Sequence, residues 1–249
     1  MKELSNSRVD EYNNSLGTLE DYDCQICKNK GYIMFDDNGY DTLKPCQCKK
    51  VRDSIRYINK SGLKKLLEYY TFDKYLAVET WQKNIKKKAQ EFLTETHGNW
   101  FYIGGQVGSG KSHICTSIVN ALLKLGNESL YMKWRDDSVE LKKSIASDGD
   151  DYFQVINRFK NVKVLYIDDF MKTERGKLPT SADVMLAFEI LNYRYNNMDL
   201  ITIISTERSV DELIDIDEAI GSRIYQRSKK YCFYLSADPE KNIRLKGNL

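Results

Sequence analysis

The sequence predicts an α/β fold in which helices cover both faces of a five-stranded parallel sheet, with a small cysteine-bearing module ahead of it. Three observations predict this. From residue 100 onward, short apolar runs of strand length alternate with longer segments of helical period. A glycine-rich stretch, GGQVGSGKSH at 104–113, joins the first such run to the first such helix. Four of the six cysteines fall between residues 24 and 48.

A chain of 249 residues accommodates one full α/β domain and a small appendage, because single cores stop growing at about 250–300 residues. Lys and Arg total 38 against 36 for Asp and Glu, a net charge of +2. That balance carries no global polyanion signal, so any nucleic-acid contact has to come from a local patch. No apolar run reaches the roughly 18 residues of a membrane span, and the start MKELSNSRVDEYNNSLG lacks an apolar leader segment. The expectation is a soluble cytoplasmic protein without a membrane partner. In that setting the cysteines point to metal ligands or buried thiols rather than disulfides.

Residues 1 to about 20 are polar and weakly periodic, a pattern expected to become helical only against a partner. Between the cysteine pairs, GYIMFDDNGYDTLKP reads as a hairpin turning at Asp-Asn-Gly. Val51, Ile55 and Ile58 are spaced for a helix in a basic segment that Lys-Ser-Gly interrupts before Leu63, Leu66 and Leu67, and this segment reads as a linker. After Phe72, ETWQKNIKKKAQEFLTE reads as a helix with a basic face. Strands are expected at 100–104, 129–133, 162–167, 200–205 and 231–235, and helices at 111–125, 136–146, 151–160, 182–197 and 209–228. Cys115 and Cys232 lie within apolar patterns and read as core. The resulting division is an N-terminal zinc-binding domain at 1–52, a basic helical linker at 53–70 and a nucleotide-binding domain at 71–249.

Gly105, Gly110, Lys111 and Ser112 match the spacing G-x-x-x-x-G-K-[ST]. Gln106, Val107, Gly108 and Ser109 fill the loop, and His113 follows it. Glycines allow the backbone N–H groups to wrap a phosphate closely, and the helix opening at Lys111 adds its positive end. Lys111 then bridges the β- and γ-phosphates of ATP, and the Ser112 hydroxyl is a magnesium ligand. The apolar run VKVLYIDDF supplies the complementary acids, Asp168 toward Mg²⁺ and Asp169 toward the attacking water. In LITIISTERS, Thr206 is the candidate to reach the γ-phosphate, with Glu207 beside it, and capping of the next helix is the alternative role for both. Arg223 and Arg227 are four residues apart on one helical face, where they serve either a neighbouring subunit's nucleotide or solvent. Arg244 is a further candidate for a nucleotide contact.

Cys24-x-x-Cys27 and Cys46-x-Cys48 provide two closely spaced thiolate pairs suited to a tetrahedral structural Zn²⁺. A redox Cys-x-x-Cys is the alternative and leaves the second pair unexplained.

Together the paired-cysteine module, FYIGGQVGSGKSH, LYIDDF, STERSVDEL, GSRIYQR and the short segment after NIRL resemble the DnaC/DnaI-type replicative helicase loaders, especially phage-like members. These are AAA+ P-loop NTPases related to the transposition ATPase IstB. An Asp rather than a longer Glu at position 169 leaves the water less well placed, so slow ATP hydrolysis is expected, and the resemblance implies an AAA+ domain with little or no C-terminal lid. It implies that residues 1–52 bind a hexameric DnaB-type replicative helicase, that the ATPase domains associate with one another, and that they contact single-stranded DNA. It favours Arg227 as an arginine finger acting in trans, with Arg223 and Arg244 as further nucleotide-sensing arginines. The family often carries Asn where this chain has Glu207, which leaves Thr206 as the sensor candidate. Lys142, Lys143, Tyr152, Phe153, Lys172, Arg175 and Lys177 are the candidate DNA contacts, with the two aromatics also readable as core. An IstB-like ATPase partner of a transposase and a nucleotide-gated adaptor with little hydrolysis are the competing functions.

Overall fold

Five of the apolar runs become strands because each alternates its side chains between two helix-covered faces. The computed structural model describes residues 2–60, 64–147, 149–174 and 176–246. The main sheet comprises β3 (Phe101–Gly105), β4 (Ser129–Lys133), β5 (Val164–Asp168), β6 (Ile201–Ser205) and β7 (Cys232–Leu235), in the order β4-β5-β6-β3-β7. All pairings within it are parallel. The helices of this part are α4 (Thr80–Phe92), α5 (Lys111–Lys124), α6 (Trp134–Ser147), α7 (Gly149–Asn161), α8 (Ser181–Tyr195), α9 (Val210–Ile216) and α10 (Glu218–Ser228).

Phe101, Ile103, Val164 and Tyr166 pack with α4 and α5 on one face, while Tyr102, Leu165 and Ile167 pack with α6, α7 and α8 on the other. Cys115 is buried in the first of these layers and Cys232 packs against the second. The helix expected over 209–228 is two helices. Asp217 is extended, with φ −158°, and its side chain accepts from the Ile220 N–H, so it ends α9 and caps α10.

Ahead of the sheet lie α1 (Lys2–Asn14), an antiparallel hairpin of β1 (Tyr32–Asp37) and β2 (Tyr40–Pro45), α2 (Cys48–Lys60) and α3 (Lys64–Tyr69). Asn38 and Gly39, at φ 55° and 90°, make the two-residue left-handed turn expected of this hairpin. The N-terminal helix forms against the chain itself rather than awaiting an outside partner. Asn13 pairs with the Met34 backbone, donating from Nδ2 at 2.9 Å and accepting at Oδ1 at 3.0 Å.

The segment read as a linker is a packed element at its start. Helix α2 runs through position 52 without a break, packs against β4 and buries Val51 and Ile58 in the core cluster that includes Tyr131. Its Ser54 Oγ accepts the Ser129 N–H at 3.1 Å, covering the start of the sheet's edge strand β4. Positions 61–63, with the expected interruption and Leu63, lie outside the described residues.

After β7, the described residues form two 3₁₀ turns, Pro239–Lys241 and Ile243–Lys246. Among the described residues no helix is long and apolar enough to cross a membrane.

A buried arginine ties the far end of the sheet. Arg194 is fully buried and donates to the carbonyls of Phe159, Lys160, Val162 and Ile201 and to Thr202 Oγ1 at 2.7–3.1 Å. Replacing it by Leu strands four carbonyl acceptors, and the expected loss of unfolding free energy is about 3 kcal/mol or more. Chemical denaturation of the Arg194→Leu variant measures it.

Candidate nucleotide site and metal centre

The C-terminal ends of β3, β5 and β6 come together around a cavity of about 470 Å³, the crevice where parallel α/β sheets bind ligands. The loop from β3 to α5 forms its floor. Gly105 has φ 101°, and a side chain there would collide with the Leu235 carbonyl of β7. Gly108, at φ 75°, lies against the Asn242 side chain, and its carbonyl accepts the Ile243 N–H at 2.9 Å, so the C-terminal turn buttresses the loop. Gln106 takes the Asp238 N–H at 3.3 Å, Ser109 Oγ donates to the Gln106 carbonyl at 2.7 Å, and Val107 is exposed at the mouth. Gly110 starts the helix.

Lys111 is buried and donates from Nζ to the carbonyls of Gly105 and Gln106, both at 2.7 Å. Burial lowers its pKa, against the opposing pull of Glu207 and Asp169. Ser112 Oγ donates to Asp168 Oδ1 at 3.1 Å. A hydroxyl and a carboxylate in contact beside a phosphate loop are the hard oxygen donors that Mg²⁺ takes, so Ser112 and Asp168 fit the ion. Asp168 also accepts from the hydroxyls of Tyr131, Tyr166 and Ser205 and from the Asp169 N–H. Burial followed by this nearby carboxylate holds the pKa of both tyrosines well above normal, so they act as donors.

Asp169 adopts a left-handed backbone, φ 54°, and accepts Lys172 Nζ at 3.0 Å. Lys172 also pairs with Glu207 at 2.8 Å, which removes it from the free cations expected to contact DNA. Burial depresses the Lys172 pKa, but the bonds to Glu207 and Asp169 outweigh it and raise the value.

Thr206 is not at the cavity. It is buried, donates from Oγ1 to the Phe170 carbonyl at 2.7 Å and accepts the Arg208 N–H at 3.2 Å, so it braces the backbone after Asp169. Glu207 lines the cavity in its place. Arg227 is likewise committed within its own chain. It is buried over the Trp100 ring and donates to the Tyr195 carbonyl at 2.6 Å, at the end of β3 opposite the phosphate loop. Half-buried Arg223 lies over Phe188 and Tyr195 and donates to the Ala219 carbonyl, leaving it the more accessible arginine of the pair. Arg244 lines the cavity from the C-terminal turn.

One wall was missed by the motif reading. Tyr69, Tyr70 and Tyr75 line the cavity, and His113 sits between Tyr70, stacked at 4.7 Å, and Tyr75, edge-on at 5.2 Å. The His113 ring meets the Thr71 carbonyl at 3.0 Å, and burial lowers its pKa. The aromatic density of EYYTFDKYL was the available signal.

The remaining DNA candidates are dispersed. Lys142 pairs with Asp183 at 2.5 Å and Lys177 with Glu174 at 2.5 Å, while Lys143 is exposed. Tyr152 donates to Glu189 at 2.5 Å, Phe153 is exposed rather than core, and Arg175 lies outside the described residues.

The four N-terminal sulfurs are buried and lie within 4.8 Å of one another. Cys24–Cys46 and Cys27–Cys48 separations are 3.8 and 3.5 Å, close to the roughly 3.8 Å edge of a tetrahedron with Zn–S bonds of about 2.3 Å. Burial raises all three perturbed thiols, taking Cys48 to about 12. At Cys27 the Gly31 N–H and neighbouring sulfurs outweigh it and bring the value down to about 7. Buried Arg52 stands beside Cys48 with Nε and Nη1 unpartnered, a cation placed where a four-thiolate zinc centre needs one. The residues fit a structural zinc.

Purified protein is expected to hold one zinc per chain, and Cys46→Ser to lose it and melt the N-terminal module first. Metal analysis and hydrogen exchange check this. Lys111→Ala is expected to weaken ATP binding at least about 100-fold, the loss of a charge-assisted phosphate contact, as read by calorimetry.

The bacterial DnaA ATPase domain model matches residues 66–227. The phage-like element PBSX protein XkdC of Bacillus subtilis (strain 168) is 30% identical over 91% of this chain and 87% of its own length. The replicative helicase loader DnaC of Escherichia coli (strain K12) is 31% identical over 46% of this chain, and the match spans 47% of that protein. A crystal structure of the DnaC helicase loader superposes with a TM-score of 0.56 at 22% identity, covering 70% of this chain and 99% of that one. With the phosphate loop, the acidic strand end and the sheet order in place, the chain belongs to the DnaA-type AAA+ ATPase family that includes the DnaC/DnaI helicase loaders.

Proposed function

We propose that the protein is an ATP-dependent loader that binds a hexameric DnaB-type replicative helicase and helps place it on single-stranded DNA. The observation that carries this reading is the joining of two units by one helix. Helix α2 begins at a cysteine of the metal centre, Cys48, and ends packed beneath the nucleotide-binding sheet. A module that grips a partner is thereby coupled to a module that changes with nucleotide. The relationship to helicase loaders supports the identity of that partner.

The loop and Lys111 would hold the phosphates, and Ser112 and Asp168 would hold Mg²⁺, which would supply positive charge to the phosphates. Asp169 accepts a proton from the attacking water as the γ-phosphoryl group leaves ADP. Neither Arg223 nor Arg227 lines the chain's own cavity, so either would act on a neighbouring subunit's nucleotide, and Arg223 is the one with the access to do so. Residues 1–52 bind the helicase, and hydrolysis times release. The ion pair between Asp169 and Lys172 favours a second reading, a nucleotide-gated adaptor that turns over little.

Native mass measurement with the host's DnaB-type helicase tests the proposal. A defined complex with ATP, lost on deleting residues 1–52 while the remaining chain still binds ATP, is the expected result. Absence of a complex with zinc verified in place would overturn it and shift attention to double-stranded DNA and a transposase partner. Arg223→Ala is expected to leave nucleotide binding intact and lower assembly-dependent hydrolysis at least about tenfold, measured as phosphate release at rising protein concentration.

A further inference from the structure

The turn after the acidic strand is built to present one side chain to the cavity. Asp169 and Met171 both have left-handed backbones without being glycine, with φ 54° and 56°, a conformation that persists only where the surroundings enforce it. Here the β6–α9 loop enforces it. Thr206 Oγ1 donates to the Phe170 carbonyl at 2.7 Å, Arg208 Nε donates to the Met171 carbonyl at 3.1 Å, and the Phe170 N–H donates to the Ser205 carbonyl at 2.9 Å. The clamped turn folds Lys172 back over Asp169, its own N–H reaching the Asp169 carbonyl at 3.0 Å.

Lys172 Nζ therefore sits between two carboxylates, 3.0 Å from Asp169 and 2.8 Å from Glu207, and it lines the same cavity as Lys111 and Ser112. The other described cations of that cavity are placed differently. Lys111 is held by the loop carbonyls, Lys74 Nζ donates to the Glu68 carbonyl at 2.9 Å, and Arg244 comes from the opposite, C-terminal turn. A terminal phosphate arriving beside Asp169 and Glu207 meets two negative side chains, and Lys172 is the cation between them.

We infer that Lys172 is the residue that recognises the γ-phosphate, exchanging its contact with Asp169 for one with the terminal phosphate while Glu207 keeps it within reach. The inference rests on the ATPase reading above. Before ATP arrives, the Asp169 carboxylate is occupied by the Lys172 ammonium. With the γ-phosphate bound, Lys172 turns to it and Asp169 is left open to water. ADP lacks the group that draws Lys172 away. Lys172 is thus a positioning residue for Asp169 and a discriminator between ATP and ADP.

The test compares the affinities of a non-hydrolysable ATP analogue and ADP, with Mg²⁺ present, in wild type, Lys172→Met, Lys172→Arg and the double variant Lys172→Gln/Glu207→Gln. Expected is a loss of about tenfold in the ATP-to-ADP preference in Lys172→Met, the scale of one charged hydrogen bond. ADP affinity should stay within about twofold, and Lys172→Arg should restore most of the preference. The double variant removes one charge of each sign and leaves no stranded carboxylate at position 207, so it also guards against misfolding. Its preference should fall as in Lys172→Met. A double variant that keeps the wild-type preference would overturn the inference, because Lys172 would then only balance charge. Failure of the wild type to bind either nucleotide would instead overturn the ATPase reading and the inference with it.

Discussion

The carboxylate of Asp168 is the point at which four elements of the ATPase domain are held to one another. It receives hydroxyls from Tyr131 on β4, Tyr166 on β5, Ser112 on α5 and Ser205 on β6, together with the next backbone N–H. A negative charge at the edge of a buried sheet is stable only when its lone pairs are met, and here neutral donors meet them. The same bonds fix the carboxylate beside Ser112, the pair suited to Mg²⁺. Stability of the strand ends and preparation of the nucleotide site are therefore one interaction network.

The second acid is arranged on the opposite principle. Asp169 is partly exposed and paired with the Lys172 ammonium, in a turn whose backbone is clamped by Thr206 and Arg208. With the backbone clamped, the proposed response to nucleotide is a side-chain exchange rather than a movement of the turn. Thr206 thus matters through the carbonyl it holds rather than through any contact with phosphate.

Much of this was legible in the sequence because the relevant signals are local. The phosphate loop announces itself by glycine spacing between a strand and a helix, the four-cysteine cluster by its paired spacing, and the sheet by apolar runs between helical periods. What escaped depends on three-dimensional placement. Arg227 and Arg223 have the same spacing on paper, yet the turn of α10 buries one over Trp100 and leaves the other half-open. Nothing in LITIISTERS says that Thr206 turns inward and Glu207 outward, since that follows from the pleat at the end of β6. The break at Asp217 was visible only in a side chain that caps as readily as it continues a helix. Lys172 read as a candidate DNA contact because its two carboxylate partners come from different strand ends.

Helix α2 lies against the start of β4, where Ser54 accepts the amide of Ser129. An open strand edge is a template for pairing with another chain, and one whose leading amide is occupied and shielded by a helix is a poor one. In the proposed side-by-side assembly, this edge would disfavour continuous sheet formation and leave contacts between helices. Such contacts break and re-form without unpicking a backbone ladder, which suits the release that the proposed loading role requires.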